Sequence, residues 1–328
     1  TIADGSTAMD VALWTGNGTS QNITTNLSPD FVWIKKRGGS GIARVHALTD
    51  IVRGVGKTLE SNSTGAEYSD PNALTAFNSD GFSIGSEDRV NENNGTYVGW
   101  AWDGGTTTAT NTDGSITSQV RANASAGFSI ATYTGTGANA TIGHGLNAAP
   151  ELLIIKRRND TDAWPVYHAS IGNTQKIYLN LTNAALSGDW QNTSPTNTVW
   201  STGSGAQTNG NGSTYVCYAF APVAGYSSFG SFVASSSTVN QFVYLGFRPK
   251  WLMIKQSSTT GSWRLVDATR SPYNGVKHEL YPNLSNAEVD YGSADWCDFL
   301  SNGFVIKSDF GAATYIYAAF AEHPFKTA

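Results

Sequence analysis

The sequence predicts an all-β protein of three tandem β-sandwich or jelly-roll-like units, each about 100 residues long. Three observations carry that prediction. Charged residues make up only 14% of the 328 residues, against roughly 25% in an ordinary soluble domain. Ser, Thr, Asn and Gly must therefore supply the polar surface, and these favour turns, caps and strands over helix interiors. Aromatic residues reach 12%, which suits pleated sheets with ring-bearing faces. Finally, two strand motifs recur three times in the same order.

The first motif is an apolar run ending in Ile-Lys: Phe31-Val32-Trp33-Ile34-Lys35, Leu152-Leu153-Ile154-Ile155-Lys156 and Trp251-Leu252-Met253-Ile254-Lys255. The second begins with Thr-Tyr: Thr96 to Trp102, Thr214 to Phe220 and Thr314 to Phe320. From each motif lysine to the next motif threonine is 61, 58 and 59 residues. Two such matches could be accidental, but three pairs at nearly one spacing indicate internal repetition. Smaller matches hold the same register. Asp80-Gly81-Phe82-Ser83-Ile84 answers Asn302-Gly303-Phe304-Val305-Ile306, and Trp14-Thr15-Gly16-Asn17-Gly18 answers Tyr133-Thr134-Gly135-Thr136-Gly137.

The units are accordingly placed at 1–103, 126–222 and 226–328. The motif lysines are 121 and then 99 residues apart, so the first junction holds an insertion. Residues 104–125, rich in Thr, Gly, Asn and Ser, read as that loop or linker. Within the second unit, strand-like segments fall at Phe128–Tyr133, Ala140–Ile142, Leu152–Lys156, Trp164–His168, Lys176–Leu181, Val199–Ser201 and Tyr215–Ala221. Short strands at such intervals, with turn residues between them, are the pattern of a sandwich or jelly roll. The unbroken apolar runs before the motif lysines read as strands buried on both faces. Asp70–Phe77 is the one stretch that suggests a short helix.

A net charge of −5 and a pI near 5.5 set the chain against nucleic acid, which demands clustered Lys or Arg. No apolar run approaches the roughly 18 residues of a membrane span, and no signal-peptide pattern opens the sequence. Cys217 and Cys297 are too few for a disulfide framework, and whether they pair is left open. Asn-X-Ser/Thr triplets such as those at Asn17, Asn94, Asn180 and Asn283 follow from composition, and no glycosylation is inferred from them.

Candidate chemistry is sparse, and the sequence predicts no enzyme, cofactor or metal. Arg53-Gly54-Val55-Gly56-Lys57-Thr58 resembles the end of a phosphate-binding loop, but Ile51 stands where the first glycine belongs. Gly81-Phe82-Ser83-Ile84-Gly85 matches a nucleophile-elbow pattern, but strand rather than helix flanks it. The five histidines never reach a metal-ligand spacing. Asn159-Asp160-Thr161-Asp162 lacks the remainder of a calcium loop. Glu87, Asp88, Asp295 and Asp298 are the carboxylates from which a glycoside-cleaving pair could be drawn. The motif lysines Lys35, Lys156 and Lys255 read as structural. Each stem would cover apolar surface while the ammonium reaches water, or each would hold a carboxylate within its unit. Trp164, Trp190, Trp200, Trp263 and Trp296, beside Gly, Asn, Asp or Ser and outside the apolar runs, are the candidates for glycan contact. Ring faces stack on sugar C–H groups while short polar side chains bond hydroxyls. Packing at sandwich ends or subunit contacts is the competing expectation for them.

Taken together, Asp30–Arg37, His46 to Gly54, Ser79–Ile84, Gly127–Leu146 and Tyr315–Lys326 resemble an uncharacterised β-rich repeat domain of tail-fibre-like and other virion surface proteins of bacteriophages, especially marine ones. The resemblance touches all three units and implies a β-sandwich fold and a place on the virion surface after assembly in the host cytoplasm. It implies other virion proteins as partners and a homo-oligomer, a trimer among its forms, although no heptad or collagen-like tract is present to drive one. It transfers no site residue. The functional expectation is a tail fibre, capsid fibre or decoration protein, with host surface glycan as a further partner. A glycan-binding module of a bacterial surface protein and a polysaccharide depolymerase are the alternatives.

Overall fold

The computed structural model describes residue 2 and residues 4–235, 240–307 and 311–321. The fold is all-β. Unit 1 comprises β1 (Met9–Thr15), β2 (Gln21–Thr24), β3 (Phe31–Gly39), β4 (Ala47–Asp50), β5 (Lys57–Thr58), β6 (Tyr68–Ser69), β7 (Leu74–Asn78), β8 (Gly81–Ile84), the one-turn helix α1 (Asp88–Asn91) and β9 (Gly95–Trp102). A ribbon of β10 (Thr108–Asn111) and β11 (Ser118–Asn123) follows. Unit 2 holds β12 (Phe128–Thr134), β13 (Ala140–Gly143), β14 (Leu152–Arg157), β15 (Pro165–His168), β16 (Gln175–Tyr178), β17 (Leu186–Ser187), β18 (Val199–Thr202), α2 (Ala206–Asn209) and β19 (Thr214–Phe220). Unit 3 holds β20 (Ser227–Ala234), β21 (Gln241–Tyr244), β22 (Pro249–Gln256), β23 (Arg264–Asp267), β24 (His278–Glu279), β25 (Val289–Asp290), β26 (Cys297–Leu300), β27 (Gly303–Ile306) and β28 (Ala313–Ala321).

One strand order appears in each large antiparallel sheet: β1-β9-β3-β4, β12-β19-β14-β15 and β20-β28-β22-β23. A smaller sheet accompanies each, β2-β8-β7, β13-β18 and β21-β27-β26. The Thr-Tyr motif is the central strand of each large sheet, and the Ile-Lys motif lies beside it. Gly16 and Gly135 recur because the chain passes tightly there. A Cβ would sit 2.2 Å from the Glu92 carbonyl oxygen in one unit and 2.4 Å from that of Gly210 in the other.

Two local expectations are corrected. Residues 104–125 are not a plain linker, because β10 and β11 extend unit 2's sheet through β12. Alternation explains it: Val120 faces the apolar interior of unit 2, as does Ile116 before the strand, while the Thr and Asn residues of β10 stay at the surface. Asp70–Phe77 is not a helix either. The Asp70 carboxylate accepts from the Asn72 amide in a local turn at Pro71, which directs Leu74–Asn78 into a strand against β8.

The large sheets are buried on both faces, and alternation along the Ile-Lys strand sorts its side chains between two environments. Val32 and Ile34 pack with Ile23, Leu74 and Phe82 inside their own sandwich. Leu153 and Ile155 do the same in unit 2 with Ile142 and Trp200. The opposite faces, bearing Phe31 and Trp33, Leu152 and Ile154, and Trp251 and Met253, join one core shared by all three units. At its centre Trp102, Phe220 and Phe320, one from each central strand, have ring centroids 6.3, 5.9 and 5.7 Å apart. The three units close around this aromatic triad.

Candidate functional site

The three motif lysines converge on the seams between units. Lys35, Lys156 and Lys255 are fully buried, so the expectation that their ammonium groups reach water fails. No carboxylate holds them either. Each Nζ donates to the carbonyl of the following residue, at 2.8, 2.8 and 2.6 Å, and to a carbonyl in a different unit. Lys35 reaches Ser285 at 3.2 Å, Lys255 reaches Asn183 at 2.9 Å and Thr182 at 3.3 Å, and Lys156 reaches Thr64 at 3.2 Å. Unit 1 thus grips unit 3, unit 3 grips unit 2 and unit 2 grips unit 1. The lysines lie on the shared-core face of their strands because they share parity with Phe31 and Trp33 and their counterparts. Burial pushes their pKa values down, to about 7 for Lys35 and about 8 for the other two.

A second ring follows the same sense one strand away. His46, Trp164 and Trp263 each sit just before the strand that pairs with the Ile-Lys strand. Their backbone amides donate to Asn62, Asn180 and Asn283 side chains at 2.9, 2.9 and 3.0 Å. Their ring N–H groups then cross the seam. His46 Nε2 donates to Tyr281 O at 3.0 Å, Trp164 Nε1 to Glu60 O at 3.0 Å, and Trp263 Nε1 to Tyr178 O at 2.8 Å. A third set of bonds joins the central strand of each unit to the strand beside the Ile-Lys strand in a neighbouring unit. Tyr218 donates its hydroxyl to Asp50 at 2.8 Å, Trp100 its indole N–H to Asp267 at 3.0 Å, and His168 Nε2 donates to Tyr317 O at 3.0 Å.

Two of the three seams also carry carboxylate bridges. Glu67 binds Arg53 of its own unit and Arg158 of unit 2, and Glu288 binds Arg270 of its own unit and Arg37 of unit 1. Burial works to raise both carboxyl pKa values, but the guanidinium bonds outweigh it and hold both below the ordinary range. At the third seam Ala185 joins Ser257 through the backbone, N to O at 2.8 Å.

All five tryptophans expected to meet sugar are interior. Trp164, Trp190, Trp200 and Trp263 are at most 1% exposed and Trp296 is 3% exposed, so none presents a ring face to a glycan. Trp164 and Trp263 are seam residues. Trp190 donates to Gln175 O at 2.8 Å, Trp200 packs edge-on to Tyr133, and Trp296 lies under the Arg264 guanidinium at 5.7 Å. The sequence shows the polar neighbours of these rings but not what covers them: another unit at Trp164 and Trp263, and their own unit's core at Trp190 and Trp200.

The remaining motifs are structural where they stand. Arg53 is buried and donates to Asp50, Glu67, Tyr218 and Leu48 O, leaving no phosphate cradle. Ser83 lies within β8 and donates to Asn22. Glu87 pairs with Arg89, Asp88 with Arg44, and Asp295 and Asp298 with Lys307. Asp160 pairs with Arg157, and Asp162 accepts from Gln207. Among the described residues no group of His, Cys, Asp or Glu is placed to hold a metal, and His323 lies outside them. Cys217 and Cys297 are free and buried.

One sizeable cleft that the sequence reading did not find opens in unit 3. It measures about 480 Å³ and is lined by Ile254, Gln256, Gly261, Ser262, Arg264, Tyr281, Leu284, Asn286, Val289 and Tyr315. Beside it the fully buried Glu279 pairs with Arg264 at 3.1 Å and accepts from the Tyr291 hydroxyl at 3.3 Å. No curated protein sequence matches this chain. Over residues 4–324, nearly its whole length, the chain belongs to the family described as a domain of unknown function, DUF7483.

Proposed function

We propose that this chain is a structural, non-enzymatic component of a bacteriophage particle surface, a tail fibre, capsid fibre or decoration protein whose task is assembly. The observation that carries the reading is the closed ring of seams. Buried Lys35, Lys156, Lys255, Asp50 and Asp267 and the partly buried Glu67 and Glu288 tie unit to unit. Buried, mutually satisfied polar groups of this kind favour one rigid arrangement, which suits a building block. The phage location rests on the resemblance carried by segments such as Asp30–Arg37 and Gly127–Leu146, and other virion proteins and further copies of the chain are its partners. The low charge and net −5 support a surface role over nucleic-acid packaging.

The unit 3 cleft favours a second reading, a glycan-binding module on a bacterial surface. The deciding experiment is mass spectrometry of gradient-purified particles from the phage that encodes the chain. Recovery at fixed stoichiometry with the major structural proteins is expected. Recovery only in the soluble fraction sinks the virion reading.

A further inference from the structure

The three units share the strand order of the large sheet but differ at the connection that leads into its central strand. Ten residues (85–94) join β8 to β9 and eleven (203–213) join β18 to β19, but only six (307–312) join β27 to β28. The two longer connections form α1 and α2, which lie across β3 and β14. Each helix delivers one polar side chain over the sheet. Arg89 from α1 stacks on Tyr68 at 4.6 Å and pairs with Glu60 and Asp70. Gln207 from α2 accepts from Lys176 and the Tyr178 hydroxyl and donates to Asp162. In unit 3 the equivalent strand, β22, lines the cleft with Ile254 and Gln256.

We propose that this cleft binds a neutral sugar ring, one residue of a glycan, where the other units seat a helix-borne side chain. Its volume of about 480 Å³ falls within the roughly 300–1,000 Å³ of small-molecule sites. Gln256, Asn286 and Ser262 offer both donors and acceptors for hydroxyl groups, and Tyr281 adds a phenol. Leu284 and Val289 offer apolar surface for ring C–H groups. Arg264 is matched by Glu279, so among the described lining residues no surplus charge gives an anionic ligand an advantage. The inference stands apart from the assembly reading, since the cleft takes its ligand wherever the protein resides.

The test is saturation-transfer NMR on the full chain with millimolar methyl glycosides of glucose, galactose, mannose, N-acetylglucosamine and N-acetylgalactosamine. Transfer to at least one of them is expected. It should weaken at least tenfold in Gln256→Ala and vanish in Ser262→Trp, which fills the cleft. Gln207→Ala, altered at the corresponding place in unit 2, should bind as the native chain does. Should Ser262→Trp fail to fold, Gln256→Ala alone decides. Absence of transfer to every glycoside overturns the proposal, as does transfer undiminished in Gln256→Ala. Stronger transfer to a sialic acid than to any neutral glycoside also overturns it. None of these results touches the assembly reading, which particle composition decides.

Discussion

His46, His144 and His168 are each fixed as the same neutral tautomer. Nδ1 accepts from the Trp33 indole, the Leu146 amide and the Ser170 amide, while Nε2–H donates to the carbonyls of Tyr281, Thr196 and Tyr317. Burial lowers all three pKa values, His168 to about 4. Unfolded histidine titrates near ~6.5, so between those values the unfolded chain binds more protons and stability falls as pH drops. For His168 the loss from pH 7 to 5 is about 2 kcal/mol. Denaturant unfolding at both pH values should show that loss shrinking by about this amount in His168→Gln; an unchanged loss would refute the assignment. Asp30, raised to about 6 by burial, works in the opposite direction, but it is common to both proteins and cancels. The cysteines give a second residue-scale prediction. Burial raises both thiol pKa values well above normal, and the thiolate is the reactive form. A disulfide-exchange reagent should therefore find no thiol in the native chain and both after denaturation. Prompt native labelling would contradict the burial. The sequence shows these residues but none of this, because the carbonyl that each Nε2–H meets lies 52 to 235 residues away and the thiols are buried by tertiary packing.

At the scale of the element, the strands were largely legible. Apolar runs such as Leu152–Ile155 and the Thr-Tyr motif at Tyr215–Phe220 became adjacent strands in register, since alternation and β-propensity act locally. The segments that misled were those whose structure a partner decides. β10 and β11 are strands because β12 offers an edge, and Thr- and Asn-rich composition says nothing about that edge. Tryptophans preceding strands show the same limit, and they can be tested. Trp164→Phe and Trp263→Phe each delete an indole N–H that crosses a seam, whereas Trp200 Nε1–H meets no acceptor. All three lose similar ring volume, so Trp164→Phe and Trp263→Phe should each cost about 1 kcal/mol more than Trp200→Phe. Equal shifts in urea midpoint would show that the seam bonds contribute nothing.

Across the whole molecule, the shared core joins side chains from all three units. A unit alone would expose a face such as Phe31, Trp33, Trp100 and Trp102 to water, so unfolding should be a single cooperative event. Calorimetry resolving two or three separate transitions would count against the shared core. Glu288→Gln should cost about 1–2 kcal/mol, because it removes the common carboxylate of Arg270 and the partly buried Arg37 while Arg270 keeps its pair with Asp267. A change below the error of chemical denaturation would remove that bridge from the account. The sequence by itself determined the all-β character, the recurring motifs and which strands lose contact with water on both faces. Hydrophobic pattern and turn chemistry report those properties within a few residues. Only the tertiary structure decided what covers them: three units closed around Trp102, Phe220 and Phe320 in one chain, lysines bonded to a neighbour's carbonyls, and tryptophans sealed into seams. The physical reason is that a local pattern records that a side chain leaves water, while its covering partner often lies fifty to more than two hundred residues away.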